Sequence, residues 1–259
     1  MKKFASIIGL LSLACAFLFA GGAKEQVVIT SAADLAGKRI GVQAGTTGEL
    51  YVQENVPGAK IASFKSGMDA ALDLKNGAID AVVLDELPAK EIVARNPTLT
   101  IVTDKFAKEE YAIAVKKGNA ALLASINKTI KQLKGDGTYE KLIASFMPVD
   151  GKIKIPATLA ASEQKAVVKL GTNANFPPFE YVEGTNIVGF DISMGQYIAK
   201  DYKAKLEVVD MAFDSLIPAL SSGAIDFIAA GMSVTEERKK NVDFSDPYYA
   251  SEQVIIIRK

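Results

Sequence analysis

Residues 213 to 233 read FDSLIPALSSGAIDFIAAGMS, and residues 64 to 86 read FKSGMDAALDLKNGAIDAVVLDE. Each stretch opens on a phenylalanine, runs through a short amphipathic segment, turns at the tetrapeptide GAID, and enters an unbroken apolar run, FIAA or AVVL. The amphipathic spacing predicts a helix, and the glycine at its end predicts a left-handed cap. The apolar runs carry no polar alternation, which is the habit of strands buried on both faces of a parallel sheet. Each unit is preceded by a further strand and helix, RIGVQ with GELYVQENV and KLGTN with ISMGQYIAKDY. Two such βαβ-type lobes in one chain predict an α/β protein in which helices cover two separate sheets.

Asn119 to Leu133 places Leu122, Leu123, Ile126, Ile130 and Leu133 on one face, an amphipathic helix closed by Gly135. Residues 147 to 164, MPVDGKIKIPATLAASEQ, interrupt the periodicity with Pro148, Gly151 and Pro156 and read as a linker. In open parallel sheets ligands gather beyond the carboxyl ends of the strands, so those ends are where chemistry is sought.

The chain begins with Lys2 and Lys3, an apolar run from Phe4 to Ala20, and the small residues Gly21, Gly22 and Ala23. This pattern predicts a secretory signal over residues 1–23, with a membrane anchor as the competing reading. It implies a periplasmic or extracellular, soluble mature chain. The single cysteine, Cys15, lies inside the apolar run after Ser12, Leu13 and Ala14, which is a poor match to a lipid-attachment triplet, although a lipid-anchored form stays open. With no histidine in 259 residues, serine-histidine and cysteine-histidine nucleophile pairs and histidine metal sites are excluded. Thirty basic and thirty acidic residues balance, giving no field to gather nucleic acid.

Four features could carry function. Ser233 followed by Glu236 is a capping-box pattern that predicts a helix start, which places Arg238 in a first turn whose dipole it opposes; an anion would relieve that conflict. A solvated arginine beside Lys239 and Lys240 is the bland alternative. The loop AGTTGE follows a strand and opens a helix, so amides at Thr46 and Thr47 are candidates for anion binding, against a plain glycine turn; it lacks the spacing and lysine of a nucleotide-phosphate loop. Asp85 ends AVVL, as an ammonium partner or as an N-cap for the helix after Pro88. Phe176 and Phe213 form an apolar slot or ordinary core.

Six segments carry a resemblance: GTNANFPPFEY, IVGFDISMGQYIAK, DFIAAGMSVTEERKKNVDFSDPYY, DLAGKRIGVQAGTTGE, GAIDAVVLDELP and GDGTYEKLIASFM. Over residues 31 to 146 and 167 to 258 the chain resembles the extracellular amino-acid-binding proteins of ABC importers, solute-binding protein family 3. The resemblance implies a type II periplasmic-binding-protein fold. In that family the GTNANFPPFEY-like segment comes first, so the chain resembles a circular permutant whose usual ends are joined by 147 to 164. It implies a lobe 1 over 112–247, a lobe 2 over 24–106 completed by strand 253–259, and hinge crossovers at 107–111 and 248–252. Position by position, it implies that Arg238, with Ser233 and Thr46, clamps an α-carboxylate, while Asp85 and the Gly231 carbonyl hold an α-ammonium. Phe176 and Phe213 would flank the ligand, Ala230 would contribute backbone, and Asn173, Gln43 and Leu84 match positions that follow side-chain preference.

The expectation is therefore a binding protein without cofactor, metal or chemistry of its own, which passes a free L-amino acid to permease subunits. Polar uncharged ligands such as glutamine rank first and basic ones second, because Asn173 and Gln43 offer uncharged hydrogen-bonding groups. A dehydratase on the same fold and a sensory module are the alternatives. The first is disfavoured because neither a histidine nor an inward carboxylate pair is evident, the second because no signalling domain or second membrane segment is seen.

Overall fold

The computed structural model describes residues 28–102, 104, 106–159 and 166–259. The expected signal segment, Cys15 and the chain around Lys24 and Glu25 lie outside the described residues. Along the chain run β1 (Arg39–Gln43), α1 (Thr47–Asn55), β2 (Lys60–Phe64), α2 (Gly67–Lys75), β3 (Ala81–Asp85), α3 (Glu86–Arg95), β4 (Leu99–Ile101), β5 (Phe106–Tyr111) and β6 (Ala114–Lys116). There follow α4 (Ala120–Gly135), α5 (Thr138–Phe146), β7 (Val167–Thr172), β8 (Asn175–Phe176), β9 (Glu180–Glu183), β10 (Asn186–Val188), α6 (Phe190–Asp201) and β11 (Lys205–Asp210). The last elements are α7 (Leu216–Ser222), β12 (Phe227–Ile228), α8 (Glu236–Lys239), β13 (Val242–Phe244) and β14 (Tyr249–Arg258).

Two main sheets result. The first has the order β2-β1-β3-β14-β4 with β5 also on β14, the second the order β11-β7-β12-β6-β13. AVVL and the start of FIAA are buried strands, as read. Each is parallel on one side, β3 with β1 and β12 with β7, but antiparallel on the other, with β14 and β6 respectively. A small antiparallel sheet, β10-β9-β8, is inserted between β7 and α6. No periodic signal in FPPFEYVEGTNIV announced it, because its strands hold two to four residues each.

The GAID repeats explain why the two halves fold alike. Gly77 and Gly223 take the left-handed conformation just past α2 and α7, at φ 78° and 82°. The isoleucine of each turn then packs on a glycine in the neighbouring strand. A Cβ at Gly41 would lie 2.5 Å from Ile79 Cδ1, and one at Gly171 would lie 2.2 Å from Ile225 Cδ1. The aspartates act alike too, since Asp80 accepts from the Arg39 N–H at 2.9 Å and Asp226 from the Lys169 N–H at 2.7 Å.

The halves are joined where β5 and β14 run antiparallel, pairing Tyr111 with Tyr249 and Glu109 with Ser251 before a register shift at Glu252 and Gln253. β14 is one continuous strand across residues 249–258. Beside this ribbon an aromatic cluster of Tyr111, Phe179, Phe190, Tyr248 and Tyr249 joins the cores of both halves. Fully burying one such ring contributes roughly 1.5–3 kcal/mol, so the junction is cohesive. Among residues 147–159 no regular element forms; the Lys154 N–H donates to Ser145 O and Ile153 packs on the core. Among the described residues, no helix is long and apolar enough to cross a membrane.

Candidate functional site

Between the two main sheets, a small cavity is lined by Gln43, Thr46, Thr47, Asp85, Asn173, Phe176, Glu180, Phe213, Ala230, Gly231, Ser233 and Arg238. Most of these residues follow the carboxyl ends of β1, β3, β7, β11 and β12, which is where an α/β sheet leaves space and backbone polarity. Eleven of the twelve residues singled out in the sequence line it. Leu84 does not. It is next to Asp85 on β3, and neighbouring side chains in a strand point to opposite faces. Its side chain packs over Gly67, where an added Cβ would lie 2.7 Å from Leu84 Cδ2.

Arg238 is 7% exposed, so it is not a solvated arginine. Its Nη1 donates to Ser233 O at 2.7 Å and its Nη2 to Gly45 O at 2.9 Å, on the opposite half. The guanidinium lies 5.3 Å from the Phe213 ring centroid, a cation-π arrangement worth about 0.5–2 kcal/mol. Burial pulls its pKa down, and Glu109 and Asp85 oppose that shift. The helix around it differs from the expected one. The N-cap is Thr235, whose Oγ1 accepts from the Arg238 N–H at 3.1 Å, and α8 is a single turn. Ser233 instead sits in a bridge to Tyr111 and is hydrogen-bonded through its hydroxyl to Glu109, which removes it from any cap.

The Thr46 amide is also not free as expected, because it donates to Gln43 O at 3.3 Å. Its hydroxyl donates to the same carbonyl at 2.7 Å and accepts from the Glu49 N–H, so Thr46 caps α1. Asp85 occupies the N-cap position of α3 without a capping hydrogen bond. Its Oδ1 accepts from Gln253 Nε2 at 2.6 Å, and the same amide reaches Glu109 Oε1 at 3.1 Å. Burial, then the Glu109 charge, pushes Asp85 well above the usual carboxylate range. Gln43 Nε2 donates to Asn173 Oδ1 at 2.9 Å, a second hydrogen bond across the halves, and Asn173 Nδ2 donates to Met211 O at 2.8 Å.

Glu180 is the lining residue that the sequence reading missed. It is fully buried on β9 and its two carboxyl oxygens receive no donor from an amide or hydroxyl of the described residues. Burial, followed by the Asp191 charge, raises it well above its ordinary value. Asp191 accepts through Oδ2 from the Gly231 N–H at 2.8 Å and from the Tyr248 hydroxyl at 2.6 Å. Burial pushes it to about 6 against those two donors. The signal was a lone glutamate in the aromatic run FPPFEY, but in a strand of four residues only the tertiary fold says which way it faces. Inward carboxyls are thus present, as Asp85 with Glu109 and Glu180 with Asp191, contrary to the expectation that none would be. Among the described residues, no group of three or more acidic, histidine or cysteine side chains is arranged to hold a metal ion.

With this geometry in view, residues 168–259 match the profile of bacterial extracellular solute-binding proteins, family 3. The arginine-binding extracellular protein ArtP of Bacillus subtilis strain 168 is 50% identical over 90 residues, 35% of each chain. The ABC transporter arginine-binding protein 1 of Escherichia coli K12 is 40% identical over 121 residues, 45% of this chain and 50% of that one. The chain therefore spans about half or less of the length of these curated relatives. The solved holo ArgBP of T. maritima is 50% identical over 33% of this chain and 38% of its own, with a TM-score of 0.32. The family and these relatives are named as binding proteins, not enzymes, and the family as extracellular.

Proposed function

We propose that this chain is an extracytoplasmic binding protein that captures an L-α-amino acid with a basic side chain between its two halves and passes it to an ABC permease. The observation that carries this reading is the charge inventory of the cavity, one guanidinium, Arg238, facing two lining carboxyls, Asp85 and Glu180. Arg238 takes the α-carboxylate with Ser233 and Thr46, and Thr47 lies alongside at the start of α1. Asp85 and the Gly231 carbonyl take the α-ammonium, Phe176 and Phe213 flank the ligand, and Ala230 contributes backbone. A zwitterion thus answers Arg238 and Asp85, which leaves Glu180 for a cationic side chain.

The sequence reading ranked polar uncharged ligands first because of Asn173 and Gln43. In the fold those two amides bond each other, and Glu180 reverses the ranking. Relatives named for arginine and histidine support it, although one named for L-cystine shows a broader range. Because Arg238 and Asp85 lie on opposite halves, only closure brings both to one ligand, and contacts made in the closed form alone shift the population toward it. The β5–β14 ribbon, covering 107–111 and 248–252, is the hinge in this proposal. Lobe 2 is 24–106 with 253–259, and lobe 1 is 112–247.

Thermal denaturation with arginine, glutamine and glutamate tests the ligand class. A ligand at about 100 times its Kd adds roughly 2.7 kcal/mol; arginine is expected to stabilise most, and stabilisation by glutamate alone would eliminate the reading. The inward carboxyls keep a dehydratase as the competing function, so turnover of prephenate-like acids in the same preparations would replace it. The proposed permutation is supported by β14, last in the chain yet central in the first sheet. Opening the chain within 147–164 and joining Lys259 to Glu25 by a short Gly/Ser linker restores the family's order. This reordered monomer is expected to bind the same ligand within about tenfold, or roughly 1.4 kcal/mol; a folded but non-binding product would refute it.

A further inference from the structure

Glu180 and Asp191 pose a problem that the ligand contacts alone do not solve. Both are fully buried, and Glu180 Oε1, Glu180 Oε2 and Asp191 Oδ1 receive no donor from an amide or hydroxyl of the described residues. The two residues are neighbours, since the Asp191 N–H donates to Phe179 O at 2.9 Å, and the nearby Asp191 carboxyl acts with burial to raise Glu180. Two ionised carboxylates so placed repel, whereas a single proton between them turns one orphan oxygen into a donor and gives the other its missing partner. The surroundings fix which of the two keeps it. Asp191 Oδ2 already accepts from Gly231 and Tyr248, which favours its ionised form. Glu180 faces Asp191 on α6, Asp210 at the end of β11 and Asp85 at the end of β3, all of one sign. The Tyr248 hydroxyl is taken by Asp191, and Arg238 lines the same cavity but is held by Ser233 O and Gly45 O.

We propose that Glu180 carries a proton donated to Asp191 while no amino acid is bound, and that a cationic ligand side chain expels it. The inference rests on the basic-ligand reading for its second half only. One positive charge enters and one leaves, so the buried charge of the cavity is unchanged. The proton goes to solvent, Glu180 becomes the carboxylate partner of the cation, and no bond other than O–H is broken. A neutral side chain leaves the proton in place. Glu180 is thereby a charge-selective residue whose protonation state matches the ligand.

Titration calorimetry of the intact mature protein with L-arginine, in buffers of different ionisation enthalpy, reads the exchange. The expected result is close to one proton released per arginine, and arginine affinity rising about tenfold per pH unit while the pair holds its proton. With Glu180→Gln the release is expected to vanish. Infrared difference spectroscopy of the wild-type protein is the second measurement, and it needs no variant to fold. A protonated-carboxyl carbonyl band should be present without ligand and disappear on adding arginine. Absence of that band without ligand overturns the shared proton. Arginine binding with no proton released overturns the expulsion alone, and failure of arginine to bind overturns the basic-ligand reading together with the expulsion.

Discussion

At the GAID turn of the first half, Ile79 covers Gly41 and Asp80 holds the Arg39 amide; at that of the second, Ile225 covers Gly171 and Asp226 holds the Lys169 amide. Five residues further along, the likeness ends. β3 finishes on Asp85, buried and bonded to Gln253, while β12 gives way to Ala230 and Gly231 and a one-turn helix that aims Arg238 back across the cleft. The entry to each apolar strand is devoted to packing, and the exit to charge. The same folding device thus supports two opposite electrostatic ends, which is what a zwitterionic ligand needs.

The largest expected effect lies at the exits. Arg238→Ala removes the one guanidinium in the cavity and its hydrogen bond to Gly45 O, and loss of one member of a desolvated charge pair costs about 2–5 kcal/mol, or roughly 30- to 5,000-fold in affinity. Calorimetry that returns near wild-type affinity for arginine would end the assignment of Arg238 as carboxylate clamp. Asp85→Asn should weaken binding in the same assay while leaving the Gln253 side chain a partner.

At the entries the two halves should behave alike. Ile79→Val and Ile225→Val each delete the Cδ1 atom that lies over a strand glycine, and such a truncation typically costs about 0.5–1.5 kcal/mol. Equal losses in denaturant midpoint, with ligand affinity kept within about twofold, would confirm that the repeat is a packing device. A loss confined to one variant would break the equivalence.

The smallest effect separates the entries by charge. The Arg39 guanidinium, 2.6 Å from Asp80 Oδ1, holds Asp80 below the usual carboxylate range. A depressed folded pKa stabilises the protein above the unfolded value near about 4 and loses that stabilisation as pH falls through the folded one. Arg39 is nearly half exposed, so solvent screening limits the contribution to about 0.5–1 kcal/mol. Asp80→Asn is expected to lower stability at neutral pH by that amount and to leave it unchanged at low pH. Equal destabilisation at both pH values would show that the N–H···O bond to Arg39, rather than the ion pair, carries the effect.

Much of this organisation was legible in the chain itself. The doubled GAID segments announced two sheets because apolar runs, glycine caps and helical spacing are local signals that each half repeats. Asp85 stood out because it ends a buried apolar run, and Arg238 because it falls in a first helical turn whose dipole it opposes. The cap was misassigned because Ser233 and Thr235 both offer hydroxyls near the helix start, and the pairing of Ser233 with Glu109 comes from a strand more than a hundred residues away.

The amino-acid sequence by itself determined the two-sheet α/β architecture and the lack of histidine chemistry, since periodicity and composition act over a few residues, while Gln43, Asn173, Ala230 and Gly231 were reached only through the family resemblance. Only the tertiary structure decided which side chains face one another. Leu84 turned away because β3 alternates, Gln43 met Asn173 across the halves, and Glu180 came to lie beside Asp191 with no amide or hydroxyl donor from the described residues. Those pairings join positions far apart in the chain, and the energy of a buried charge depends on its neighbours in space rather than in sequence.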